Sequence, residues 1–204
     1  MQNLEVTTAE DAVASVKERG LAIWRGLVAP RVCEQMLIPV TRHAPYAANY
    51  VSLKYGVLHM NVLPVSVQQA CVVPEIAHTF ALALGSCEMV AREIYLTMPG
   101  MFLPHDWHQD ANETNIVYHF MVWVACTPCG VDAPGLSFAV GNPGRFLGGN
   151  AEAAKYSQAH PNIEPVMQPG DAIFFDTHSV HKTNVVARMD KSRIAFKFAA
   201  KALV

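Results

Sequence analysis

Two short stretches of this chain carry side chains that bind metal ions. The first is Trp107-His108-Gln109-Asp110, in which a histidine and an aspartate are two residues apart. Side chains two apart on a β-strand point to the same side, so His108 and Asp110 would offer an imidazole and a carboxylate to one ion. His-x-Asp pairs are also common by chance, so this pair predicts a metal site only together with further ligands.

The second stretch lies downstream and supplies those ligands. A turn at Gly170-Asp171 leads into an apolar run that ends at His178 and His181, and Arg193 follows twelve residues after His181. Two histidines and one carboxylate that leave three coordination positions open form the ligand set of non-haem Fe(II) oxygenases. A guanidinium nearby can bind a carboxylate through two parallel hydrogen bonds. These residue types predict an iron centre with a dicarboxylic co-substrate.

The rest of the chain must position these side chains. We expect a single domain over residues 1–204, with helices over residues 8–85 and a barrel over residues 87–200. Capping residues predict three helices: 8–19 after Thr7 and before Gly20, Pro30 to Leu37, and one that begins at Pro74. Short apolar runs between turn residues predict these strands: 89–98, 115–125, 135–140, 171–175 and 194–199. Residues 143–169 are predicted to form a lid loop with one helical turn.

Composition narrows the range of partners. Hydrophobic residues make up 51% of the sequence, but no apolar run approaches the roughly 20 residues of a membrane span. The net charge is -2 with no basic run, which argues against nucleic acid and favours a small-molecule partner. The five cysteines are an odd number and the first residues lack a signal segment, so we expect a cytoplasmic location. The apolar composition leaves open either a deep core or a homo-oligomer interface.

In this order, the motifs resemble the phytanoyl-CoA dioxygenase family of Fe(II)- and 2-oxoglutarate-dependent oxygenases. The resemblance lies in Pro99-Gly100, Trp107 to Asp110, the run from Gly170 to His181, and Arg193. It extends to an opening strand near Gly20, a strand at 123–125 and a turn at 133–136, so it covers most of residues 15–200. It implies a double-stranded β-helix, a cupin-like jelly-roll barrel with flanking helices. The chain is short for the family, and the resemblance does not extend to an acyl-CoA substrate.

The resemblance also implies roles for individual residues. His108, Asp110 and His181 would hold Fe(II), and Arg193 would bind the distal carboxylate of 2-oxoglutarate. Thr183 would add a hydroxyl contact to that carboxylate. Three positions that often contact co-substrate or substrate in the family are Tyr95, Thr97 and His105. Separately, His59 is predicted to share a pocket-facing strand with Asn61.

The choice between His178 and His181 as the second histidine ligand depends on strand alternation. We expect both to lie at the end of the same apolar strand, where they point to opposite faces because they are three residues apart. His181 shares its parity with Thr183 and stands twelve residues before Arg193, as the family spacing requires. We therefore expect His181 to bind the metal and His178 to point away.

The implied activity is oxidation of a small molecule with 2-oxoglutarate and O2, yielding succinate and CO2. Hydroxylation is the favoured outcome because Asp110 is intact, whereas related halogenases carry a small residue at that position. Desaturation, epimerisation and rearrangement stay open, since they depend on how the substrate is placed. Two other hypotheses are a cupin-like metalloenzyme without a co-substrate and a jelly-roll protein that binds a ligand without turnover.

Overall fold

The computed structural model describes residues 4–49, 57–97, 105–111, 119–188 and 190–203, with the backbone alone at 43–49, 57 and 59. The helices are α1 (Ala9–Arg19), α2 (Pro30–Asn49), α3 (Val65–Cys71), α4 (Pro74–Leu84) and α5 (Asn150–Ala159), with a 3₁₀ turn at Met60–Val62. The strands are β1 (Ala22–Trp24), β2 (Val57–His59), β3 (Cys87–Thr97), β4 (His119–Ala125), β5 (Gly135–Ala139), β6 (Asn162–Ile163), β7 (Ala172–Asp176), β8 (His181–Asn184) and β9 (Arg193–Ala202).

The strands form two antiparallel sheets that enclose a barrel. The larger sheet has six strands in the order β1-β7-β4-β9-β3-β2, and the smaller has three in the order β6-β5-β8. Neighbours in space are mostly distant in sequence, as in the predicted double-stranded β-helix. The central strands β4, β7 and β9 are buried along almost their whole length, because helices cover one face of the large sheet and the small sheet lies over the other.

Alternation along β9 shows how the two faces differ. Ile194, Phe196 and Phe198 pack into the apolar layer between the large sheet and the helices. Ala195 and Ala199 face the other way, into the layer between the two sheets. Since these inward residues are small, the barrel interior keeps room for a cavity beside β9.

The helical half differs from the sequence expectation in two places. The residue that caps α1 is Thr8, not Thr7, since its hydroxyl oxygen accepts a hydrogen bond from the backbone N–H of Asp11 at 3.2 Å. Helix α2 continues well beyond the predicted end at Leu37 and passes through Pro39. Burial of Met36 and Val40 against the large sheet holds this face in place. None of the described helices combines the length and apolarity needed to cross a membrane.

Within the described residues, the barrel strands lie where short apolar runs predicted them, with shifts at their ends, but one predicted strand is two. Residues 98 and 115–118 of the predicted strands lie outside the described residues. The apolar run before His181 ends at Asp176, and a turn separates β7 from β8. The carboxylate of Asp176 accepts hydrogen bonds from the backbone N–H groups of His178 and Ser179 at 2.9 and 3.0 Å. Aspartate stabilises turns in this way, which strand alternation alone does not reveal.

The segment 143–169 is more regular than a loop. It contains α5, a ten-residue helix whose Ala153 is fully buried. This helix packs in a small apolar cluster with Ala139, Val180 and Trp107. The segment therefore lies beside the barrel segment that carries His108, and its role as a lid stays a prediction.

The turn before β7 is hydrogen-bonded to the segment that follows β1. One carboxylate oxygen of Asp171 accepts from the Gly26 backbone N–H at 2.9 Å, and the other accepts from the Arg25 guanidinium at 2.8 Å. Gly170 precedes it in the left-handed region at a φ of 94°. A β-carbon at this position would overlap the carbonyl oxygen of Val28, so the turn requires glycine.

Substitution of Gly170 tests this packing. Gly170→Ala should lower the free energy of unfolding by about 3 kcal/mol or more, because backbone strain and the overlap with Val28 add. Gly26→Ala is the matched control, since Gly26 has a φ of 62° but no atom within 4 Å of the added carbon. It should lose only about 1 kcal/mol. Denaturant unfolding of both variants measures the difference, and equal losses would contradict the packing argument.

Candidate metal centre and cavity

A stretch of extended backbone next to β8 brings the metal-binding residues together. The N–H of His108 donates to the carbonyl of His181 at 2.9 Å, and the reverse bond is 3.0 Å. Residues paired in this way on antiparallel strands present their side chains on the same face of the sheet. Asp110 follows His108 by two residues and joins the same face. The spacing in the sequence and the pairing between strands thus place all three side chains on the same face.

The three side chains offer ligand atoms at distances that one ion can bridge. One oxygen of Asp110 lies 3.7 Å from Nε2 of His108 and 3.9 Å from Nε2 of His181. All three ligand atoms lie within 4.8 Å of one another. Two ligands bonded to one first-row metal ion are at most about 4.2 Å apart, so both measured separations fit. Among the described residues this is the only group of three such side chains.

Backbone carbonyls orient both imidazoles. The Nδ1 atom of His108 lies 2.7 Å from the carbonyl oxygen of Asp106, and that of His181 lies 3.1 Å from the carbonyl oxygen of Ser179. A carbonyl only accepts hydrogen bonds, so each Nδ1 carries the proton. Each Nε2 is then left with a lone pair directed toward Asp110, the arrangement typical of metal-ligating histidines.

The electrostatics of the group also favour a cation. Burial, reinforced by His181, lowers the pKa of His108 to about 4, and burial lowers the pKa of His181 as well. Burial alone would raise the pKa of Asp110, but the ammonium of Lys197 and the two histidines outweigh it and hold that pKa well below its usual range. At neutral pH the group is therefore two neutral imidazoles and one carboxylate, the protonation states that a metal ion needs.

The ligand atoms open into a cavity of about 170 Å³ between the two sheets. Its wall combines apolar side chains with three cations. The lining residues are Tyr95, His105, His108, Asp110, Trp123, Leu136, Phe175, His181, Lys182, Thr183, Arg193 and Lys197.

Arg193 reaches this cavity as a buried cation, and no carboxylate of the described residues pairs with it. Its strongest contact in the described part of the chain is a 3.4 Å hydrogen bond to the carbonyl of Gly135, and its Nε has no partner there. Burial lowers the pKa of the guanidinium, although it stays charged. A buried charge without a partner is unfavourable by several kcal/mol, so the site fits a carboxylate ligand such as one end of 2-oxoglutarate.

The other predicted residues fall into two groups. Thr183 and Tyr95 line the cavity, and so does His105, whose ring stacks on His108 with 3.6 Å between centroids. Thr97 is buried opposite Arg193 on β3, but it is not among the described residues that line the cavity.

The prediction that His59 and Asn61 share a pocket-facing strand is wrong. Strand β2 ends at His59, and Asn61 lies in the following 3₁₀ turn with its side chain exposed. Strand alternation does not continue through that turn, so the reason for the prediction fails. The side chain of His59 lies outside the described residues.

Two residues near the metal cluster were missed from the sequence. The side chain of Gln109 donates to the carbonyls of Arg145 and His178 and accepts from the N–H of Leu147, which fixes the loop beside Trp107. Lys197 donates to the second oxygen of Asp110 at 3.3 Å. Its position four residues after Arg193, inside an apolar run, was the available signal, because it shares the inward face of β9.

Comparisons with known proteins agree with the fold. No protein-family model and no curated protein matches the chain. Among solved structures, it resembles the non-heme alpha ketoglutarate dependent epimerase SnoN of nogalamycin biosynthesis, with 15% identity, a TM-score of 0.72, and coverage of 95% of this chain and 82% of that chain. AviO1 from Streptomyces viridochromogenes Tue57 gives 16%, 0.72, and 96% of each chain.

EctD from S. alaskensis, solved with 2-oxoglutarate and 5-hydroxyectoine, is also similar. It has 12% identity and a TM-score of 0.77, with coverage of 97% of this chain and 76% of that chain. These likenesses confirm the predicted jelly-roll fold. The identities are so low that the similarity concerns the fold, and the argument for activity depends on the site itself.

The two neighbouring histidines give the sharpest test of the metal ligands. His181→Ala should reduce the Fe(II) or Co(II) bound per chain from one to near zero, because it removes one of only three ligand side chains. His178→Ala is the matched control and should keep the metal, since His178 lies in the β7–β8 turn and contacts Gln109 through its backbone carbonyl. Metal analysis after desalting measures both. Loss of metal from the His178 variant alone would contradict the ligand assignment.

Proposed function

We propose that this chain is an Fe(II)- and 2-oxoglutarate-dependent oxygenase that oxidises a small organic molecule. The observation that carries the proposal is one cavity that holds both a His-Asp-His ligand group and the guanidinium of Arg193, which no carboxylate of the described residues contacts. A metal site alone is common to many proteins. A metal site beside a buried cation fits a dicarboxylic co-substrate, which would bind the metal at one end and the cation at the other.

In this proposal the chain's own residues bind, orient and exclude water. His108, Asp110 and His181 hold Fe(II), and carbonyl groups behind the two histidines fix their rings. Arg193 and Thr183 take the distal carboxylate of 2-oxoglutarate. When bound, the iron and its co-substrate supply the oxidising power for O2 chemistry, with release of succinate and CO2. Phe175 and Trp123 form an apolar wall that keeps water from the reacting atoms.

Hydroxylation is the outcome we favour, because the complete carboxylate ligand leaves no vacant place for a halide. The similar structures include an epimerase, a carbocyclase and a complex with a hydroxylated product, so the fold hosts several outcomes. The motif order that resembles the phytanoyl-CoA dioxygenase family supports placing the chain near that branch. A small-molecule substrate suits the size of the cavity, and nothing in the charge pattern favours nucleic acid.

Two other functions fit the same fold less well. A cupin-like metalloenzyme without a co-substrate would have no use for the buried Arg193. A ligand-binding protein without turnover would have no need to keep all three ligand side chains and both carbonyl contacts behind them.

Two experiments test the function: succinate formation, and substitution of Arg193, the residue proposed to bind 2-oxoglutarate. With Fe(II), O2 and a panel of small metabolites, the wild-type protein should convert 2-oxoglutarate to succinate. Arg193→Ala should weaken 2-oxoglutarate binding by about 2 to 4 kcal/mol, thus by at least about thirtyfold, with metal affinity largely kept. Titration of 2-oxoglutarate into the metal-loaded protein without O2 measures this.

Arg188→Ala is the matched control, because Arg188 is exposed and pairs with Asp190. It should leave 2-oxoglutarate binding unchanged. Weakened binding in the Arg188 variant with normal binding in the Arg193 variant would overturn the clamp assignment. A metal-free preparation that oxidises its substrate at full rate would overturn the oxygenase function.

A further inference from the structure

Lys197 is a charged residue in the middle of a buried strand. It lies on β9 between Phe196 and Phe198, and its side chain is only 15% exposed. Trp123 lies opposite Lys197 on β4, and the ammonium of Lys197 is 5.7 Å from the centre of the Tyr95 ring. Removing an ammonium from water is unfavourable, so a lysine at this position needs strong partners.

The contacts of this ammonium within the protein use only part of its hydrogen-bonding capacity. It has three hydrogen-bond donors and cannot accept. Among the described residues it donates to one acceptor, the second oxygen of Asp110, at 3.3 Å. The ammonium also makes a cation–π contact with the Tyr95 ring, and the hydroxyl of Tyr95 donates a hydrogen bond to Glu93. Donor capacity toward the cavity therefore stays unused in the described structure.

The cavity as a whole is cationic. Its lining includes Arg193, Lys182 and Lys197 against one carboxylate, that of Asp110, and Glu93 adds a second carboxylate behind the wall. Lys182 stands at the side, with its ammonium 5.0 Å from the centre of the Trp107 ring. Fe(II) with a 2-oxoglutarate dianion would add equal and opposite charges, so the excess positive charge would persist in the loaded site.

Arg193 and Lys197 make different contacts in the cavity wall. They are four residues apart on β9, with α-carbons separated by about 13 Å, and Ala195 lies between them. Arg193 contacts Gly135 at the start of β5, whereas Lys197 contacts the metal-ligand carboxylate itself. One cation is thus available for the co-substrate and another for a second anion beside the metal.

We infer that Lys197 binds a carboxylate of the substrate, which makes the substrate class small carboxylic acids with an apolar body. This inference rests on the proposed oxygenase function. The apolar body would lie against Trp123, Leu136 and Phe175. Lys197 also holds the second oxygen of Asp110, so it positions the metal ligand and the substrate together.

A charged and a neutral probe of the same shape test this assignment. Benzoate and benzamide are titrated into protein that is loaded with Zn(II) and saturated with 2-oxoglutarate, and binding is measured by calorimetry. The wild-type protein should bind benzoate at least about tenfold more tightly than benzamide. In protein that is loaded with Zn(II), Lys197→Met should remove this preference, while 2-oxoglutarate affinity stays within about threefold. Should the methionine variant fail to load metal, Lys197→Gln carries the same test, since glutamine still donates to Asp110 without a charge.

Lys201→Met is the matched control, because Lys201 lies on the same strand but pairs with Glu88 at the surface. It should keep the full preference for benzoate. A Lys197→Met protein that still prefers benzoate tenfold would overturn the inference. So would one that loses 2-oxoglutarate affinity instead, since Lys197 would then belong to the co-substrate. A wild-type protein that binds neither metal nor 2-oxoglutarate would contradict the proposed function itself, before any probe is added.

Discussion

The candidate site depends on one pair of backbone hydrogen bonds, those that join His108 to His181. This pairing places two imidazoles from distant parts of the chain on the same face of the small sheet, and alternation adds Asp110. The turn stabilised by Asp176 leads the chain into β8, and the side chain of Gln109 holds the segment around His108 by hydrogen bonds. The geometry of the candidate site is thus set by strand register, which a one-residue slip would destroy.

Charge balance is the second constraint on the site. Asp110 stays ionised in a mostly buried position because the ammonium of Lys197 stabilises its charge, and Lys197 stays charged because Asp110 and Tyr95 face it. Arg193 has no such partner in the described structure. The charge of Asp110 is therefore balanced from within the chain, whereas Arg193 at the start of β9 is left for a ligand.

Sequence reasoning found the candidate ligand cluster and the barrel because both follow local rules. Ligand chemistry restricts residue types, and alternation predicts which side chains share a face, so the cluster around His108 was foreseeable. The expectation that His178 and His181 share one strand failed, since a side-chain hydrogen bond from Asp176 ends the strand early. Asn61 was misplaced for a similar reason. Lys197 was overlooked because its importance comes from a contact between β9 and residue 110, which spacing along the chain does not reveal.

The most direct measurement of the central claim is the visible absorption of the Fe(II) protein under anaerobic conditions. The arrangement of His108, Asp110 and His181 with Arg193 predicts one Fe(II) per chain and a weak visible band that grows only when 2-oxoglutarate is added. The band should saturate at one 2-oxoglutarate per iron, which would show that the co-substrate binds at the metal. Iron binding without any band at saturating 2-oxoglutarate, or equal binding of 2-oxoglutarate to the metal-free protein, would contradict the account.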